Sequence, residues 1–200
     1  MMMMAMIASL SRSIMAQTTD PLDKVRSFIR EKMKELGCEY YFEVLPMGEH
    51  IWPSQRGLKA NPFDMQATEE GLWVTFRDMN SLKKYFIKDN TTFKLALAHE
   101  FGHIVEWKAT NEQLDPISYD LEMRRIAHIP EGYERGPYDV TPFSEIRAWA
   151  QGYIFAEKLG VAQEYKDYAK KYFDYVIQYT PNRAMQVVEG CIAAAKRVLA

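Results

Sequence analysis

The segment that most constrains this chain is LALAHEFGHIVE, residues 95–106, which contains His99-Glu100-Phe101-Gly102-His103. The spacing H-E-x-x-H fits a single metal ion only on a helix. Four residues advance about 6 Å and turn about 400°, so the two imidazoles stand one above the other on one face. Both can then reach one Zn²⁺ at about 2.0–2.1 Å. Glu100 is turned about 100° from His99, beside such an ion, where a carboxylate can take a proton from a zinc-activated water and pass it to a leaving amine. Phe93, Leu97, Phe101, Ile104 and Val105 give this helix apolar faces to bury. Gly102 costs about 1 kcal/mol relative to alanine inside a helix, so its presence predicts a close approach by another element.

A catalytic zinc takes three protein ligands and keeps one position open. The continuation H-E-x-x-H-x-x-G-x-x-H is absent, because Glu106 stands at the glycine position and no histidine follows where one is required. The preferred third ligand is Glu145, at the start of SEIRAWAQGYIFAEKLG. Ala148, Gly152 and Ala156 are small enough to let that helix approach the metal helix near Gly102. Glu122 competes, 19 residues past His103, but the aspartate that should follow four residues later is Ile126. Glu106 is a further alternative, poorly placed because one straight helix is badly shaped to offer three ligands to one ion.

Around this motif the chain reads as α+β. Asp20 can cap a helix beginning at Pro21, carried by Leu22, Val25, Phe28, Ile29, Met33 and Leu36 and ended by Gly37. Residues 38–45 (CEYYFEVL) and 71–77 (GLWVTFR) read as strands, the second of edge type, with residues 46–68 broken up by Pro53, Gly57 and Pro62. A short helical or irregular stretch follows around 81–88. The metal helix runs from the caps Asn90, Thr91 and Thr92 to about Lys108. A long segment, 109–140, with one short helix expected near 118–127, precedes three helices at 144–159, 163–178 and 182–199; connections of such length often form lids or binding loops. The order predicts a small mixed or antiparallel sheet packed on the metal helix, with a helical C-terminal part, in one domain over residues 18–200.

Composition narrows the partners. A net charge of −2 gives no broad basic footprint for nucleic acid, and Lys170-Lys171 reads as a solvated face. The aromatics Tyr165, Tyr168, Tyr172, Phe173 and Tyr175 fall near helical spacing and are expected to pack in the core. No run of about 18 apolar residues predicts a membrane span. Cys38 and Cys191 fit no close ligand spacing and are expected as thiols. Residues 1–17 are expected as a disordered or signal-like extension. Arg12 follows the apolar stretch instead of preceding it, which favours a cytoplasmic chain over one secreted through residues 1–16.

Residues 71–77, the helix bearing HEFGH, then Glu145, Ala148 and Phe155-Ala156 match in order and character the ImmA/IrrE-like family of gluzincin metallopeptidases, which this sequence resembles over residues 70–160. The resemblance implies a zincin-like fold, one zinc per chain held by His99, His103 and Glu145, and Glu100 as general base acting on a peptide or protein substrate. It also implies that strand 71–77 borders the cleft, where its edge can pair with an extended peptide. No helix-turn-helix region accompanies the domain, so the repressor-cleaving role of some members does not carry over. His128, Tyr133 and Tyr138 are candidates to stabilise a developing oxyanion. The alternative function is a catalytically inactive, zinc-stabilised binding or regulatory protein. A third, weaker reading is a metal-independent scaffold bearing the motif by chance.

Overall fold

The computed structural model describes residues 20–49, 51, 61–68, 70–110, 142–179 and 182–200. The expected extension at 1–17 and the expected short helix at 118–127 lie outside the described residues, as do Glu122, His128, Tyr133 and Tyr138. The described chain is mixed α and β, mostly helical, with one sheet of three strands.

Helix α1, Pro21–Leu36, starts and stops as its sequence dictates. The Asp20 side chain accepts a hydrogen bond from the Leu22 amide at 3.0 Å, and Pro21 fills a first-turn position that needs no donor. At the other end Gly37 adopts φ 64°, and the Cys38 amide donates back to the Met33 carbonyl at 2.9 Å, which closes the last turn. Leu22, Val25, Ile29 and Met33 form its buried face.

The sheet departs from expectation in two ways. Strand β1 (Phe42–Val44) and strand β3 (Leu72–Phe76) occupy the anticipated regions, but strand β2 (Phe63–Ala67) forms inside the stretch read as irregular. The strand order is β1-β3-β2, parallel for β1 with β3 and antiparallel for β2 with β3. Thus β3 is the central strand and has no edge to offer, while β2 is an outer strand among the described residues. Phe63, Met65 and Ala67 alternate with Asp64 and Gln66, a period-two pattern easily lost in five residues after Pro62.

Aromatic side chains lock this sheet to the helix that carries His99 and His103. Phe76 stacks on Phe93 of helix α3 (Thr91–Thr110) with centroids 5.9 Å apart, and Phe63 and Phe28 reach the same ring at 5.8 and 6.1 Å. Between sheet and α3 lie the short helix α2 (Met79–Leu82) and a π-helical stretch, Lys83–Lys88, whose Phe86 joins the cluster 5.1 Å from Phe93.

On its other side α3 packs along helix α4 (Pro142–Lys158), which in turn rests on α5 (Ala162–Tyr179) and α6 (Asn182–Leu199). Small residues set the α3–α4 distance. A Cβ added at Gly102 would overlap the Ala148 backbone carbonyl, and one added at Gly152 would lie 2.5 Å from the Ala98 carbonyl oxygen. The expected close approach at Gly102 is therefore met by α4. Tyr165 and Phe173 are fully buried and Tyr172 and Tyr175 partly so, whereas Tyr168 lies on the surface. Cys38 and Cys191 are both free thiols. No helix among the described residues is long and apolar enough to cross a membrane.

Because the Ala148 carbonyl is backbone and cannot move aside alone, Gly102→Ala should force the two helices apart. The gain in helix propensity, about 1 kcal/mol, is expected to be outweighed by overpacking, with a net loss of about 1–3 kcal/mol. Chemical denaturation measures it, and an unchanged midpoint would show that the helices have room to spare.

Candidate metal centre

His99 and His103 occupy one face of α3, with ring centroids 4.8 Å apart. Helix α4 presents Glu145 from its first turn to both of them. His99 Nε2 lies 3.0 Å from Glu145 Oε2, and His103 Nε2 lies 3.0 Å from Oε1. The three side chains keep only 11%, 9% and 15% of their surface exposed, and their candidate ligand atoms all fall within 4.8 Å of one another. Ligands around a tetrahedral zinc at about 2.0–2.1 Å stand about 3.3 Å from each other, so the two 3.0 Å contacts would lengthen slightly and the widest pair draw in to hold the ion. Two imidazole nitrogens and one carboxylate oxygen are also the donor chemistry that zinc prefers with a fourth position left open. The donor set therefore fits a zinc ion.

The electrostatics of these side chains have the same origin. Burial alone would lower the pKa of His103, but the hydrogen bond and charge of Glu145 raise it from 6.5 to about 9. Burial would raise Glu145, yet the two imidazoles hold it well below the ordinary carboxylate range. Both imidazole Nε2 atoms meet Glu145, at the place where a cation would sit.

The ring of His99 packs on Trp149, centroids 4.4 Å apart, and Trp149 packs on Tyr165 at 4.8 Å. The Tyr165 hydroxyl donates to the Ala148 carbonyl at 3.3 Å. This aromatic column fixes the orientation of His99, whose Nδ1 is buried without a hydrogen-bond partner among the described residues.

Glu100 points away from the shared carboxylate and toward the sheet. Its Oε2 accepts a hydrogen bond of 2.6 Å from the Ala67 amide at the end of β2. Burial pushes its carboxyl up, against the pull of His103, His99 and the Ala67 amide. Glu106, the alternative ligand on the same helix, is turned away from the cluster. Its Oε1 takes Arg147 Nη1 at 3.0 Å and its Oε2 takes the Ser144 hydroxyl at 3.3 Å.

The structure thus brings together His99, His103 and Glu145, and sets Glu100 beside them. The roles of Ala67, Trp149, Ser144 and Arg147 were not anticipated from sequence. Ser144 and Arg147 flank Glu145 and share a helical face, which is a signal of sorts, but nothing local marks Glu106 as their partner.

Zinc should displace the His103 proton. Binding to metal-stripped protein at pH 7 is expected to release about one proton or more, read by calorimetry in buffers of different ionisation enthalpy, with release shrinking above pH 9. A folded-state pKa raised above 6.5 stabilises the stripped protein at low pH, and that stability is lost as pH rises through about 9. The stripped protein's Tm contribution from this pair should therefore fall from pH 6.5 to 9, while the Tm increase on adding zinc grows. Zinc binding without proton release would place the ion elsewhere. No family model, curated protein or solved structure matches this chain.

Proposed function

We propose that this chain is a zinc-dependent metallopeptidase with a zincin-like fold, in which His99, His103 and Glu145 hold the metal and Glu100 is the general base. The observation that carries this reading is the convergence of both Nε2 atoms on the two oxygens of Glu145 at 3.0 Å, with a separate buried carboxylate next to them. A purely structural site closes its fourth position and needs no such base. When bound, zinc supplies Lewis acidity toward a carbonyl and acidifies a water molecule.

The chain's own residues account for the rest. Glu100 receives the proton of the attacking water and delivers it to the leaving nitrogen, a role suited to a carboxyl whose pKa is lifted by burial. The Ala67 amide holds that carboxylate on the sheet side of the site. Strand β2, not β3, is the outer strand beside α3. Pro62 and Thr68 bond across to Arg77 and Gly71, so the alternation of the ladder turns the amides of Phe63, Met65 and Ala67 away from β3. An extended peptide adding to β2 would lie alongside Glu100.

Glu100→Gln should bind zinc at the wild-type stoichiometry and lose hydrolysis of a fluorogenic peptide library by a factor of about 10²–10⁴. Turnover retained in this variant would remove Glu100 as the base. Wild-type protein that holds one zinc and cleaves nothing would instead support a zinc-stabilised binding protein. Glu145→Ala should weaken zinc retention by about tenfold or more in chelator competition; unchanged affinity would move the third ligand elsewhere.

A further inference from the structure

The α3–α4 contact through Gly102, Ala148, Gly152 and Ala98 fixes how close the helices come. A slide of one residue, about 1.5 Å along α4, would carry Glu145 out of reach of one imidazole. Besides that glycine contact, the described residues contain a part-buried polar grip placed to hold the register.

Glu106 lies one turn past His103 and keeps only 6% of its surface. Its two oxygens are taken by Arg147 Nη1 at 3.0 Å and the Ser144 hydroxyl at 3.3 Å. Ser144 precedes Glu145 by one residue and Arg147 follows it by two. The carboxylate of Glu106 therefore grips α4 on both sides of the metal ligand, while Glu145 itself points to the histidines. Burying a carboxylate with an arginine gives little net stability compared with apolar residues of the same shape, and the best-attested use of such a pair is to specify register.

We infer that the Glu106–Arg147–Ser144 grip is a positioning device for the metal site, setting the register of α4 that brings Glu145 onto His99 and His103. The inference rests on the zinc reading above. Its three residues lie outside the His99–His103–Glu145 cluster and act through Glu145. Losing partners that orient a metal ligand typically weakens metal binding by about 10–100-fold.

The test is zinc affinity by chelator competition, paired with the Tm of the stripped protein, for Arg147→Ala, Arg147→Lys, Glu106→Gln and Val25→Ala. Val25 is fully buried on α1, outside the grip and the metal cluster, and its truncation controls for stability lost away from the site. Arg147→Ala is expected to lose about 10–100-fold in zinc affinity. Arg147→Lys should recover part of that loss, since the contact it must restore is a single N–H to Oε1. Val25→Ala should lower the Tm with affinity unchanged. If Arg147→Ala does not fold, the isosteric Glu106→Gln decides, with a smaller loss of affinity expected from the missing charge.

Wild-type affinity in Arg147→Ala, or in Glu106→Gln where that variant decides, would overturn the positioning role. So would affinity losses in the grip variants that merely track Tm along the line set by Val25→Ala. Failure of the wild-type protein to bind zinc at all would instead sink the metal reading on which the inference stands.

Discussion

Everything at this site depends on how closely α3 and α4 approach. The two histidines are placed by one helix, but their third partner comes from another, and only glycine at 102 and 152 lets the backbones come near enough for a glutamate to span the gap. The same contact explains why a helix carrying histidines can afford a residue as unfavourable as Gly102 in its interior: the cost to the isolated helix, about 1 kcal/mol, is offset by the packing it permits. Once that distance is set, Glu145 needs only to extend from the first turn of α4 to meet both imidazoles.

Three glutamates are gathered within a few turns of each other, and their partners separate their roles. Glu145 is shared by His99 and His103, Glu106 by Arg147 and Ser144, and Glu100 is held by the amide of Ala67. Buried charges are tolerated only when paired and hydrogen-bonded. Each carboxylate here has its own set of donors, so none of the three is interchangeable with another. A partner of two imidazoles, a helix-to-helix tie and a carboxylate held toward the sheet thus arise from one residue type in three environments.

The sheet contributes by position more than by size. A cluster of phenylalanines from α1, β2, β3, the π-helical stretch and α3 fastens it to the first turn of α3. That anchorage carries the end of β2 to Glu100. The outer strand β2 and the Glu100 carboxylate are consequently held together through the same packed cluster.

The local structure was legible from the chain alone. Asp20, Pro21 and Gly37 mark the ends of α1, the three C-terminal helices fall where their periodicity puts them, and His99 and His103 share one face of a helix because i, i+4 spacing is a property of the helix itself. Glu145 was legible as a preference, from small residues following it and from the family resemblance. The sequence did not reveal β2, whose alternation is only five residues long, and it cast β3 as an edge strand when the topology makes it central. Nor did it pair Glu106 with Arg147 and Ser144, or Ala67 with Glu100, since those contacts join residues 33 to 41 positions apart. Spacing within one helix determines which side chains share a face; which of those faces meet, and in what register, is decided only when the helices and the sheet pack together.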